Sequence, residues 1–168
     1  MIGFETIGNA NVTFFDGSKP ILTTDPWLDG NPYFGSWIHK YSIPKEQKEN
    51  ITNSKYVWYS HGHPDHLDEA SFKYFENSIF LIPDHYGDRI HSHIKGRFNC
   101  IKLKSNEWFQ VSKNIKIKCF SDWNQDATLL VDILSKDIVF NQNDGKSLGW
   151  SGTIKKILKN YKNRFLLK

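Results

Sequence analysis

Four side chains of metal-binding type fall within six residues, His61, His63, Asp65 and His66, in the run Ser60-His61-Gly62-His63-Pro64-Asp65-His66. The whole chain has seven histidines, so three of them here is a concentration that chance rarely produces. Imidazole is the commonest metal ligand, and a carboxylate adds the charge and hardness that suit zinc, iron or manganese. Alternate residues of an extended segment project to the same side, so His61 and His63 can grip one ion together. Gly62 allows close backbone approach. Pro64 fixes the chain direction, and the turn aims Asp65 and His66 at a neighbouring point. One short loop can thus serve two ions. Histidines that merely cap a helix or satisfy core groups would explain a lone histidine better than this cluster.

The loop leaves a strand expected over 56–59 and enters a helical stretch over 67–75, where Leu67, Phe72 and Phe75 share a face. Upstream, strands are expected over 4–7, 12–15 and 21–24, with turn chemistry at Asp16-Gly17-Ser18-Lys19. Two prolines and a glycine between Asp25 and Pro32 forbid regular structure. The aromatic segment that follows, with Tyr33, Phe34, Trp37, His39 and Tyr41, reads as a loop packed over a site. Downstream come strands over 79–82, 100–103, 108–111 and 115–120, a short helix within 85–97, and a hairpin from 129–134 and 138–141. A closing helix is expected over 154–167. This order predicts a layered α/β fold with largely antiparallel or mixed sheets. The length of 168 residues suits a single domain over 1–168.

Charge argues against a nucleic-acid partner. The net charge is +4, but residues 155–168 hold Lys155, Lys156, Lys159, Lys162, Arg164 and Lys168 and no acid, which makes that segment +6 and the rest −2. One basic helix face is not the distributed patch of a nucleic-acid binder. Cys100 and Cys119 form no Cys-x-x-Cys pair and sit in strand-like surroundings, so buried thiols are expected rather than a disulfide. No leader pattern opens the chain, and no apolar run approaches the roughly eighteen residues of a membrane span. The expectation is a cytoplasmic protein without a membrane partner.

The run from Ser60 to Asp68 resembles the His-x-His-x-Asp-His signature of the metallo-β-lactamase superfamily. Thr24-Asp25-Pro26-Trp27, with Asn31-Pro32 after it, is most similar to the branch of UlaG-like lactonases and CMP-N-acetylneuraminate hydroxylase. The resemblance implies a metallo-β-lactamase-like αββα sandwich, C-terminally incomplete here, since the chain would cover roughly two-thirds of the family domain. It also implies metal site one at His61 and His63, site two at Asp65 and His66, and Asp25 as a supporting group that orients a ligand histidine. Ile138-Val139-Phe140-Asn141-Gln142-Asn143-Asp144 resembles the strand that ends in a metal-bridging aspartate, which gives Asp144 that role. A plain turn at Asp144-Gly145 is the competing reading.

Two departures from the family pattern stand out. The loop before residue 127, where relatives carry a further histidine, reads Asp122-Trp123-Asn124-Gln125-Asp126. Spacing puts Asp122 at the ligand position, with Asp126 as the alternative. No histidine follows His93, so the family's last ligand is missing and another residue or subunit would have to complete the site. A homodimer or partner chain covering the incomplete sheet is one way to do so. His85, His91 and His93 read as surface or substrate-side residues, and His39 as a pocket residue. The implied function is a hydrolase with two Zn2+ (or Fe or Mn), using a metal-bound water on a small-molecule ester, lactone or phosphodiester. Asp65 would orient the nucleophile or carry its proton, and Tyr33, Phe34 and Trp37 would form part of the wall. Competing readings are an iron-dependent oxygenase component and a truncated metal-binding pseudoenzyme.

Overall fold

The computed structural model describes residues 2–168. The first sheet opens with an antiparallel meander, β1 (Gly3–Thr6), β2 (Val12–Asp16) and β3 (Lys19–Thr24). It continues in parallel through β4 (Tyr56–Trp58), β5 (Ile79–Pro83) and β6 (Cys100–Leu103). Parallel neighbours need crossovers, and these hold the helices. Between β3 and β4 lie the single turn α1 (Pro32–Gly35) and helix α2 (Lys45–Thr52). A 3₁₀ helix (Glu69–Tyr74) links β4 to β5, and α3 (Arg89–Ile94) links β5 to β6.

The second sheet is built from β7 (Trp108–Gln110), β8 (Ile115–Ser121), β9 (Ala127–Ile133) and β10 (Asp137–Asn141), all antiparallel. It is completed by α4 (Ser151–Leu158) and β11 (Asn163–Leu167), the latter parallel to β10 at the sheet edge. The molecule is therefore a mixed α/β fold with two sheets and few helices. Among the described residues no helix is long and apolar enough to cross a membrane.

Strand periodicity decides which residues meet. Along β8 the isoleucines Ile115 and Ile117 and then Cys119 point one way, while Lys116 and Lys118 point the other. The inward set joins Leu129, Val131 and Val139 of the second sheet and Phe14, Leu22, Trp58 and Leu81 of the first in one buried cluster. The other face of β9 and β10 buries Leu130 and Ile138 against Ile154 of α4 and Tyr161. The other face of the first sheet buries Val57, Tyr59, Phe80 and Ile82 against Ile51, Phe72 and Ile90 of its crossovers. Strands β4 and β5, covered on both faces, read as unbroken apolar runs for that reason.

Two expectations about elements need correction. The closing helix over 154–167 is a helix only to Leu158, and Asn163–Leu167 is a strand with Asn141 opposite Leu167. The open edge of β10 supplies the hydrogen bonds that draw this segment out of helical form. Tyr161, in the turn between, donates to the buried Asp132 at 2.5 Å. The six basic side chains therefore do not share one helix face. Helix α2, over residues to which the sequence pattern assigns no element, lies beside β3 and buries Ile51 in the cluster with Val57 and Tyr59. Of the two free cysteines, Cys119 is buried, which pushes its thiol up to about 12, and Cys100 is half-buried.

Candidate metal centre

The site sits at the C-terminal ends of β3, β4 and β10, where three chain segments leave the two sheets. Asp25 ends β3 with a left-handed backbone (φ 42°) and donates its N–H to the Trp58 carbonyl at 2.8 Å. Its side chain is fully buried. One carboxylate oxygen accepts the Ser60 N–H at 2.7 Å, the other accepts the Asn143 amide and faces His66 Nδ1 at 3.5 Å. This carboxylate thus ties the β3 exit, the histidine loop and the β10 exit together.

Three of the predicted residues converge on a fourth, Asp144, and Asp65 joins them through His66. His61 Nε2 and His63 Nδ1 face each other at 2.7 Å, and Asp144 Oδ2 lies 3.6 Å from the first and 4.0 Å from the second. The same oxygen is 3.6 Å from His66 Nε2, which is itself 3.5 Å from Asp65 Oδ2. His61, His63 and Asp144 each offer one donor atom within 4.8 Å of the others. His61 and His66 are buried, whereas His63 and Asp144 are open to solvent. The loop geometry follows from Pro64, since the chain turns after it and the N–H groups of His66 and Leu67 both return to the His63 carbonyl.

Asp65 is held from two sides. Tyr33 Oη donates to one oxygen at 2.7 Å and Asn9 Nδ2 to the other at 2.8 Å. Burial works against the charged carboxylate, but those two donors and the neighbouring His66 outweigh it and hold its pKa below the usual range. The same contact, with burial first, pushes the Tyr33 phenol up to about 12. Burial, reinforced by the positive charge of His66, lowers His61 to about 4. His66 goes the other way. Burial opposes its imidazolium, yet Asp25, Asp65 and Asp144 surround it and raise its pKa.

Other predicted residues lie elsewhere. Asp122 is buried and outside the converging group, with Oδ1 accepting the N–H groups of Asn124 and Asp126 and Oδ2 lacking any hydrogen-bond partner. Asp126 is half-buried, and burial and the charge of Asp122 raise its carboxyl, while His63 acts in the opposite direction. His91 and His93 lie on α3, as the surface reading expects, and His93 pairs with Glu69 at 2.9 Å. His85 is the exception. It is buried, and its Nε2 meets the Ser60 carbonyl at 3.0 Å, so it clamps the residue that precedes His61. The only hint of this in the sequence is that His85 follows a buried strand that ends in Pro83.

Asn9 is a site residue that sequence reasoning missed, because a lone asparagine in a turn carries no signal. Phe34, expected in the pocket wall, is fully exposed instead. Tyr33 and Trp37 do adjoin the site, with ring centroids 4.9 Å apart.

No protein-family model matches the chain. Among curated proteins it is similar to cytidine monophosphate-N-acetylneuraminic acid hydroxylase from Asterias rubens, 22% identical over 143 residues. That match takes in 75% of this chain and 22% of the relative, so the chain spans about a fifth of that protein's length. A solved structure described as a possible metal-dependent hydrolase from Veillonella parvula DSM 2008 superposes with a TM-score of 0.66 at 14% identity. The match covers 95% of this chain and 68% of that one. CmlA, a diiron β-hydroxylase from Streptomyces venezuelae, gives a TM-score of 0.59 at 13% identity, over 82% of this chain and 28% of its own. At these identities the likeness to the solved structures is one of fold.

Proposed function

We propose that this chain is a metal-dependent hydrolase of the metallo-β-lactamase type, with an αββα layering, acting on a small ester, lactone or phosphodiester. The observation that carries this reading is the position of Asp144 Oδ2, within 4.0 Å of donor nitrogens on three histidines. Two imidazole nitrogens only 2.7 Å apart beside a carboxylate form a donor set suited to a divalent ion. In this reading His61 and His63 would hold one ion and Asp65 and His66 a second, with Asp144 within reach of both donor sets. On the adjoining loop Asp122, with its unpartnered buried oxygen, would be a further ligand, and Asp126, whose carboxyl feels the charges of His63 and Asp144, the alternative.

Bound divalent ions supply an acidified water and polarise the bond under attack. The protein's own groups do the rest. Asp25 occupies the Nδ1 side of His66, which leaves Nε2 turned toward the site. Tyr33 and Asn9 fix Asp65 so that the oxygen nearest His66 can orient a water or take its proton. A second reading, an iron-dependent oxygenase component, draws support from the likeness to two hydroxylases and from the carboxylates of Asp122 and Asp126 on the loop where metallo-β-lactamase relatives carry a further histidine.

Elemental analysis of protein purified without added metal separates these readings. The hydrolase reading expects about two zinc ions per chain, and a His63→Ala variant that loses at least one of them. Bound iron would favour the oxygenase. A wild-type chain that stays folded and metal-free in excess zinc would overturn both.

The two buried histidines also set a pH dependence. Metal binding needs neutral imidazoles. His61, lowered to about 4, has already lost its proton near neutrality. His66, raised above 6.5, still carries one just below neutral pH, and an incoming ion must displace it. Zinc affinity should therefore climb as pH rises toward the His66 pKa, by about tenfold per unit for each proton released. Competition with a chelator between about pH 5.5 and about pH 8 measures this. A flat profile would show that His66 is not displaced.

A further inference from the structure

We infer that the substrate has two limbs, a hydrolysable ester head over the metal cluster and an apolar acyl or aryl limb in an aromatic groove beside it. This deepens the hydrolase reading above and rests on it. Asp65, His66 and Asp144 line a cavity of about 630 Å³ that also presents the carboxamides of Asn9, Asn141 and Asn143. A groove of about 610 Å³ adjoins it, lined by Trp27, Trp37, Ile38, His39, Tyr41 and Ile43 among others. Ile7, Gly8, Asn9 and Trp37 border both, so the two are arms of one depression that meet at Trp37. Each arm has the volume of a small-molecule site.

The arms differ in chemistry. The aromatic arm has no carboxylate on its lining, and its floor is firmly built. Trp27 is buried, stacks on His39 at 4.0 Å between ring centroids, and donates its indole N–H to the Gly30 carbonyl at 3.2 Å. His39 Nε2 in turn meets the Trp27 carbonyl at 3.0 Å. The wall between the arms is joined to the metal cluster itself, because Tyr33 packs on Trp37 and hydrogen-bonds Asp65. Tyr33 and Phe34 take φ of 55° and 58°, a costly backbone for such residues and one that clusters at ligand sites. Ile38 and Tyr41 remain 69% and 75% exposed, and nothing among the described residues covers them. An apolar limb anchored at the cluster would remove that surface from water. The carboxylates of the metal arm are the proposed metal ligands, whose charge bound divalent ions would offset, so this polar arm suits the ester head and the aromatic arm the apolar limb. Hydrolysis adds water across the acyl C–O bond and releases acid and alcohol, with no redox partner.

The test uses the zinc-reconstituted full chain with methyl acetate and methyl octanoate, following acid release, and with acetate and octanoate as binding probes. The octanoyl ester should have a kcat/KM at least about tenfold higher, mostly through KM, and octanoate should bind tighter by a similar factor. Trp37→Ala should shrink both ratios to about threefold or less. If that variant fails to fold by circular dichroism, Tyr41→Ser reads the same ratio. Turnover of both esters at equal kcat/KM, with equal binding of the acids, would overturn the groove and leave the hydrolase standing. No turnover of either ester, with octanoate still preferred in a Trp37-dependent way, would overturn the reaction and support the groove.

Discussion

Asp144→Ala will strip the protein of metal while leaving its fold intact. The reasoning starts from exposure. The Asp144 side chain is more than half open to solvent, and its close polar neighbours are the nitrogens of His61, His63 and His66. It caps no helix and joins no strand, so truncation in the metal-free state should shift stability by no more than about 0.5 kcal/mol, as for an ordinary surface substitution. Metal affinity is another matter. Loss of a group that merely supports a ligand costs about 10- to 100-fold, so loss of a carboxylate shared by two donor sets should exceed the upper end of that range. Any ester hydrolysis should fall with it. Urea unfolding of the metal-free variant and zinc competition on the same sample read the two effects separately. A variant that keeps its zinc would restore the plain-turn reading of Asp144-Gly145. A large loss of stability without metal would assign Asp144 a structural role instead.

That separation bears on what the sequence could disclose. The histidine loop was legible because its information is local. Four of six consecutive positions carry the ligand types, the strand before them is an unbroken apolar run, and Pro64 sets the turn. The hairpin of β9 and β10 was legible for the same kind of reason, two β-branched runs around Ser135-Lys136-Asp137. Features that depend on distant partners were not. Residues 163–167 form a strand because β10 offers a free edge, and no pattern within Asn163-Arg164-Phe165-Leu166-Leu167 distinguishes that from the end of an amphipathic helix. His85 sits between Asp84 and Tyr86, Gly87 and Asp88, which read as surface, and only the Ser60 carbonyl explains its burial. Asn9 becomes a site residue through a hydrogen bond that spans 56 positions. Asp122 shows the limit from the other side. Spacing puts it at a ligand position, but it cannot show that the loop uses Oδ1 to accept two of its own backbone N–H groups and leaves Oδ2 without a partner.

Asp25→Ala should give the largest loss of stability of any change at the site, about 3–5 kcal/mol. The carboxylate is fully buried and serves three segments at once, so its removal leaves the Ser60 N–H and the Asn143 amide without their acceptor and the His66 ring without its counter-charge. Each stranded donor costs about 1–3 kcal/mol, and His66, whose pKa is raised in part by Asp25, would be left with a less compensated charge. Alanine also tolerates the left-handed backbone at this position poorly, at a cost of about 1–2 kcal/mol. Set against a total of about 5–15 kcal/mol, the sum is enough to unfold a marginal domain. Asp25→Asn separates the backbone and packing part from the charge. Asparagine accepts the left-handed conformation and can keep one acceptor for Ser60, but its NH2 would face the Asn143 amide and His66. That variant should therefore fold, at a cost of about 1–3 kcal/mol, yet bind zinc about 10- to 100-fold more weakly because His66 loses the group that orients it. Denaturant midpoints for both variants, paired with zinc titration of the asparagine form, decide the matter. An alanine variant within about 1 kcal/mol of wild type would mean that the β3 exit, the histidine loop and the β10 exit are held together by packing rather than by this carboxylate.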